Sequence, residues 1–546
     1  MKLLAVALGL VLTACALEDE GANGETGSGN GGGDPSSSGN GGAGHNGLIW
    51  VEGVDAGDAG ETGSGANNST ASGREGPSKG GGGAGGGELD CENVAPNHEV
   101  LAHTRVDDSN SYASPMLVRE LTGDPSWSVG DPLPVRAHEF LNAYGQKITD
   151  GLLDADLEQG LHVGADARVH EALDFEGRRL IELAVTFSSF DASTVAVPDV
   201  TFVMDTAASM GGEGIERLHG VLRGAGSKLS STPRSVAALT TLGGGTVVRE
   251  MSPWSGPDDA EALIAAATGV TDDDDLDATL QDALEIARQQ ASRSLAPGVV
   301  MVVTDGTDSL SDDTVDEIAL ERGMWPPVRV VGVGVGPARA YVDDLLNRAT
   351  NESGGAYFYA PSREAAESEL EARFSSLTQV AARNVQLQLG MPSSMRVVGV
   401  AGGTPTDLGG GEGQNLGADS TMIFHIYISA PADLVCPTLG LAIEWDDPGE
   451  NAEHHVFPGA DAPATVPLFE RFDGAPPSEA YRRIEAIVAA ADAMRGPTRE
   501  RLDDAVGVFN DFLRSTVPDD SAAALCTPLA RFCAAPGASC LACPSD

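Results

Sequence analysis

The sequence predicts an α/β fold: a doubly wound parallel sheet inserted in a β-sandwich-like region, with C-terminal helices and a Cys-rich tail. Three observations predict it. Residues 200–204, 299–303 and 328–335 are nearly continuous β-branched runs without polar alternation, the pattern of parallel strands covered on both faces. Between them, Ile215, Leu218, Leu222, Ala225 and Leu229, and later Leu276, Leu280, Ala283, Leu284 and Ala287, recur at three- and four-residue spacing, as on the buried face of a helix. Short apolar runs at 180–187, 384–390, 395–400, 421–429 and 439–445 straddle this unit. Each flank alone supplies few strands for two sheets, so one sandwich interrupted by the α/β unit is the simplest packing, with two separate small β units as the alternative.

The chain opens with Lys2 and an apolar run over residues 3–12, too short to span about 30 Å of hydrocarbon and therefore read as a secretory signal over residues 1–14. Leu12-Thr13-Ala14-Cys15 resembles the lipobox of bacterial lipoproteins. That resemblance implies a lipidated Cys15 as the mature N-terminus, and Ala16 in place of Asp implies the outer membrane of the cell envelope. An ordinary signal peptide with a chance Cys is the bland alternative. Residues 15–90 carry Gly and Ser runs that cannot build a core, a linker of roughly 75 residues with a span of about 45–50 Å. Its one apolar island, residues 48–51, reads as a stray cluster or a docking strand. With 33 basic against 81 acidic side chains the net charge is −48, which repels phosphate backbones and anionic headgroups. Nucleic acid is excluded as a partner, and the membrane is met by the lipid anchor only.

Acidic motifs stand where the parallel strands end. The first run leads into Asp205-Thr206-Ala207-Ala208-Ser209-Met210 and a later one into Thr304-Asp305-Gly306-Thr307-Asp308, and ligands of doubly wound sheets sit beyond the carboxyl ends of the strands. These motifs, with the strand at 330–336 and the "ATNESGGAYF" stretch at 349–358, resemble the von Willebrand factor type A (vWA) domain, a Rossmann-like fold, over about residues 197–383. The resemblance implies a metal-ion-dependent adhesion site holding Mg²⁺ or another divalent cation, with Asp205, Ser209 and Asp305 as ligands and a position left for a carboxylate of a protein partner. Two hydroxyls of the family pattern are missing, because Ala207 replaces the first motif Ser and Ala278 falls where the Thr belongs. Thr279 or Asp277 compensates if the alignment slips by one residue. Otherwise the site is degenerate.

Other clusters have plainer readings. The acidic run 272–275 with Asp277 suits the N-terminus of the following helix better than a Ca²⁺ site. The alternating glycines of 332–336 are followed by Pro337 and read as a strand end, not a dinucleotide fingerprint. His454 and His455 beside Glu453 lack the helical spacing of a zinc motif and read as a polar loop. No catalytic constellation is evident.

Ahead of the vWA-like unit, residues 91–196 form an α+β segment. Its residues 107–113 and 136–144 resemble the N-terminal region of bacterial vWA lipoproteins, with "D-x-x-S-Y" and "R-x-E-E-F-L-N-Y" patterns from which His138 departs. A β-rich domain follows over 384–470, then helices over 471–517 broken at Gly496-Pro497, then a Cys-rich tail over 518–546. Apart from Cys15 there are six Cys: Cys91, Cys436, Cys526, Cys533, Cys540 and Cys543. An even number in an exported chain suggests three disulfides in unspecified pairing, with a zinc site from the four tail Cys as the weaker option.

The expected function is an envelope-anchored lipoprotein that mediates protein–protein interaction or adhesion and is not an enzyme. The alternatives are a metal-independent structural envelope protein and a metal-dependent hydrolase, which lacks a base, nucleophile or full ligand set. The anchor is testable directly: Cys15→Ser is expected to leave unlipidated precursor or to move the protein out of membrane fractions, measured by intact mass and fractionation, and unchanged mass with unchanged membrane association refutes lipidation.

Overall fold

A computed structural model describes residues 100–546, except 105–110, 130, 174–175, 191–194, 196, 232–233, 243–244, 269–274, 402–412, 435–436, 450–452, 459–462, 473, 516–519, 534–542 and 544–546. Cys15, the linker, Cys91, Asp272 to Asp274, Cys436 and Cys540 lie outside the described residues. The first segment comprises β1 (Val100–Thr104), α1 (Ala113–Gly123), α2 (Ala137–Tyr144), β2 (Leu153–Asp156), β3 (Leu161–Leu173) and β4 (Arg178–Ser189). The α/β unit follows with β5 (Asp199–Met204), α3 (Glu213–Ser231), β6 (Ser235–Thr240), β7 (Thr246–Pro253), α4 (Pro257–Ala266), α5 (Leu276–Ser294), β8 (Gly298–Thr304), α6 (Asp312–Arg322), β9 (Val328–Gly334), α7 (Asp344–Ser353), β10 (Ala356–Tyr359) and α8 (Arg363–Thr378). Then come β11 (Val380–Met391), β12 (Arg396–Val400), β13 (Gln414–Gly417), β14 (Thr421–Pro431), β15 (Thr438–Asp446), β16 (His454–Phe457), β17 (Ala464–Pro467), α9 (Phe469–Phe472), α10 (Glu479–Arg495), α11 (Arg499–Ser515) and α12 (Asp520–Cys533). No helix among the described residues is long and apolar enough to cross a membrane.

The central sheet has the order β10-β9-β8-β5-β6-β7. Its strands are parallel except β7, which pairs antiparallel with β6 at the edge. Every residue of β5, β8 and β9 is buried, which explains why their sequences show no polar alternation. Helix α3 lies so close to α8 that a Cβ at Gly220 would stand 2.2 Å from the Arg363 carbonyl oxygen. Chain order reverses between β5 and β8, so the ligand crevice of such a sheet opens at their carboxyl ends.

Strands from before and after this unit share a second core. One sheet runs β12-β14-β4-β3-β2, and the other runs β1-β11-β15-β16 with β13 on β11 and β17 on β15. Ile181, Val185 and Phe187 of the first pack with Leu387, Leu441 and Ile443 of the second. A third core joins α2 to the C-terminal helices through Phe140, Leu141, Tyr481, Ile484, Phe509 and Leu525. In the tail, Cys526 and Cys543 form a disulfide.

Residues 111–113 and 136–144 of the two N-terminal motifs clasp the α/β unit; residues 107–110 lie outside the described residues. Tyr112 donates its N–H to the Tyr357 carbonyl at 3.0 Å and stacks on Phe358 with centroids 5.4 Å apart. Glu139 is fully buried, accepts from the Ser114 N–H and pairs with Arg136 at 2.9 Å. Arg136 also reaches Asp343 at 2.6 Å, and Asn142 donates to the Ser111 carbonyl at 2.9 Å.

A second buried carboxylate fixes the C-terminal helices. Asp166 of β3 accepts from the Arg471 guanidinium at 2.8 and 3.0 Å, from the Ser478 N–H at 2.6 Å and from the Ala167 N–H at 2.8 Å. Truncation strands an Arg471 side chain only 9% exposed. Asp166→Ala is therefore expected to lower unfolding free energy by about 3–5 kcal/mol in urea titrations, and a loss below about 1 kcal/mol contradicts the role given to this pair.

Candidate metal centre

Asp205 follows β5 and Asp305 follows β8, so the switch point sets the two carboxylates side by side at the sheet's carboxyl edge. Both are buried, at 0% and 2% exposure. Asp205 Oδ1 accepts the Ala207 N–H at 2.8 Å and Oδ2 accepts the Thr304 hydroxyl at 2.7 Å. Thr304 Oγ1 in turn accepts the Gly306 N–H at 3.1 Å. Asp305 Oδ1 accepts both the N–H and the hydroxyl of Thr307, at 3.1 and 2.8 Å. The turn needs glycine, because Gly306 has φ +77° and a Cβ there would lie 2.2 Å from the Val342 carbonyl oxygen.

Exposed hydroxyls border the pair. Ser209 Oγ lies 3.3 Å from Thr307 Oγ1, and both residues are solvent-exposed. Burial pushes the Asp205 carboxyl up to about 6; the Ala207 and Thr304 hydrogen bonds oppose this, while the charges of Asp305 and Asp308 add to it. A carboxylate disfavoured by burial and by like charges is the electrostatic setting that a cation relieves.

The hydroxyl positions predicted to be missing are methyl groups in place. Ala207 is 6% exposed, and the Ala278 N–H donates to Asp275 Oδ1 at 2.9 Å, with Asp275 as the N-cap of α5. The capping reading thus holds at Asp275. Thr279 gives its hydroxyl proton to the Asp275 carbonyl at 2.6 Å, one turn back in its own helix. Asp277 accepts the Ser311 N–H at 2.9 Å; burial raises its pKa, but hydrogen bonds from Ser311 and Thr314 outweigh that and hold it below the ordinary value. Asp277 thus ties α5 to the start of α6. Asp205, Ser209 and Asp305 are the predicted ligands that the fold gathers, and Thr304 and Thr307 orient the carboxylates. The Thr304–Asp308 motif contains both threonines, but strand-end geometry was needed to show which hydroxyl meets which carboxylate.

A second group lies in the sandwich. Asp447, Glu453 and His455 bring one ligand atom each to within 4.8 Å of one another, with His455 Nε2 and Asp447 Oδ1 3.0 Å apart. His454 and His455 belong to β16 and pair with Asp446 and Trp445 of β15, not to a loop as the sequence suggested.

The von Willebrand factor type A domain family matches residues 199–373. No curated protein matches the chain. Among solved structures, a von Willebrand factor type A protein from Catenulispora acidiphila is similar at 12% identity, over 68% of this chain and 94% of that one, with a TM-score of 0.44. The ArnB paralog VWA2 from Sulfolobus acidocaldarius is similar at 12% identity, over 68% of this chain and 98% of that one, with a TM-score of 0.35. With the family match falling on the doubly wound sheet whose switch point carries Asp205 and Asp305, residues 199–373 are a von Willebrand factor type A domain.

Proposed function

We propose that this chain is a lipid-anchored protein of the bacterial cell envelope, held at the outer membrane, that binds a protein partner through the switch-point face of its vWA domain and catalyses nothing. The observation that carries the reading is the buried Asp205–Asp305 pair at the carboxyl ends of β5 and β8, bordered by the exposed hydroxyl of Ser209. vWA domains commonly mediate protein–protein interaction or adhesion, and the lipobox-like Cys15 and the Gly/Ser linker suit display away from a membrane.

Asp205, Ser209 and Asp305 offer the hard oxygen donors that Mg²⁺ or a similar divalent cation takes, and would hold it with water at the remaining positions. When bound, the ion supplies an electrophilic position for a partner's carboxylate. The protein's own contribution is to orient both aspartates through Ala207, Thr304 and Thr307. A metal-independent mode of binding is the second reading, favoured by the methyl groups of Ala207 and Ala278 and by the engagement of Thr279 with its own helix.

Two variants separate the two readings. Ala207→Ser with Ala278→Thr is expected to tighten Mg²⁺ several-fold in calorimetric titration, and Asp305→Ala to abolish both the Mg²⁺ signal and EDTA-sensitive partner capture from envelope extracts without unfolding the domain. Capture that survives both EDTA and Asp305→Ala overturns the metal-dependent reading and leaves the second.

The pH dependence follows from Asp205. Its folded pKa of about 6 exceeds the reference value of 3.8, so between those values the folded state binds more protons than the unfolded chain. The stabilisation is complete below the lower value and is lost as pH rises through the upper one. In EDTA, Asp205→Asn is expected to stabilise the protein relative to wild type by on the order of 1–3 kcal/mol at pH 7.5 and by much less at pH 4.5. Equal differences at the two pH values in urea unfolding refute the assignment.

A further inference from the structure

A cavity of about 770 Å³ lies between the vWA domain and the sandwich. Its vWA wall includes Pro297 and Pro327, immediately before β8 and β9, so it sits at the amino ends of the parallel strands, away from the aspartate pair. The seven residues of β8 separate the two places by about 20 Å. Nothing in the metal-centre reading uses this cavity.

Its lining is cationic in a chain of net charge −48. Arg329, only 5% exposed, lines it and donates to the Thr378 carbonyl at 2.6 Å. Among the described residues it makes no ion pair. Arg383 also lines it, donating to the Asp447 carbonyl at 3.1 Å with its guanidinium 5.8 Å from the Trp325 ring centroid. It too makes no ion pair among the described residues. Arg322 lines it as well and donates to the Gly413 carbonyl at 2.8 Å. Burial, then repulsion from Arg383, lowers Arg329 to about 10, so Arg329 remains a cation at neutral pH.

Two carboxylates share the lining but are engaged by side chains other than the arginines. Glu444 accepts from Gln388, and Asp446 accepts from Asn384 at 2.6 Å and contacts His454 at 2.9 Å. Asp446 feels the field of Arg383 without forming an ion pair with it. A buried guanidinium that meets only a carbonyl dipole is costly unless an anion joins it, and its planar fork matches carboxylate or phosphate oxygens. The volume is that of a pocket for a small organic ligand.

We propose that this cavity binds a small organic anion, its carboxylate or phosphate head between Arg329 and Arg383 and its apolar body against Trp325, Pro297 and Pro327. The test uses the full chain with benzoate, phenyl phosphate and inorganic phosphate as probes, at ionic strength matched with sodium chloride. Calorimetry and thermal shift are expected to show saturable binding of benzoate or phenyl phosphate near 1 mM or tighter, roughly the affinity of one good anion contact with an apolar wall. The preferred probe of those two identifies the head group. Phenyl phosphate binding better than inorganic phosphate supports the apolar wall, and equal binding overturns that part of the proposal. Arg329→Met is expected to weaken binding about ten-fold or more. Arg383→Met, at a half-buried position, does the same and decides the matter if the first variant does not fold. No saturable binding of any probe, or unchanged binding in the folded arginine variants, overturns the proposal.

Discussion

The carboxylate of Glu139 is the point on which the N-terminal segment, the vWA domain and the helical core all depend. It is fully buried on α2 and pairs with Arg136, whose second arm reaches Asp343 ahead of α7. The Tyr357 hydroxyl lies 3.3 Å from both acids, and burial followed by the Glu139 charge holds its ionisation well above the ordinary value. Two stretches of chain more than 200 residues apart are thus fixed by one polar knot inside the protein. A buried charge tolerates little misplacement, because any geometry that separates Glu139 from Arg136 takes a guanidinium away from a carboxylate in a medium of low polarity. Helix α2, oriented in this way, is also the surface on which α10 packs.

The sandwich solves a different problem, that of accepting an inserted domain without losing its core. Strands β3 and β4 precede the insertion, and β14 follows it, yet β4 and β14 pair residue for residue from Ser188↔Thr421 to Arg178↔Pro431. The insertion costs the sheet nothing in register. Asp166 then carries the order outward by gathering Arg471 and the Ser478 N–H at the start of α10. Each buried acid meets its partners at a junction between units, where geometry must be specified and apolar contact alone would permit sliding.

Much of this was legible in the sequence because the signals are local. The unbroken runs ending at Met204 and Val303 could only be strands covered on both faces, and the Asp205 and Asp305 motifs sit where a doubly wound sheet places ligands. The Gly496-Pro497 break falls between α10 and α11. What could not be read depends on contacts across long stretches of chain. The motif residues Arg136 and Glu139 gave no hint of meeting Tyr357, more than 200 positions away. Asp447 joins His455 only because a hairpin folds β16 back on β15. Thr279 was a reasonable substitute ligand by spacing, but its hydroxyl satisfies a carbonyl of its own helix first, the local competition that threonines commonly lose to.

The exit from the vWA domain has a mechanical meaning. Helix α8 ends at Thr378 and β11 begins at Val380, so Gln379 alone separates the last turn of the domain from a strand inside the sandwich. The Gln379 N–H is bonded back to the Ser375 carbonyl, and its own carbonyl accepts the Ala418 N–H. A join so short, with both backbone polar groups of Gln379 hydrogen-bonded, has no slack. Tension applied to α8 reaches a hydrogen-bonded strand at once, to be resisted in shear by β1, β13 and β15 together instead of being absorbed by a compliant tether.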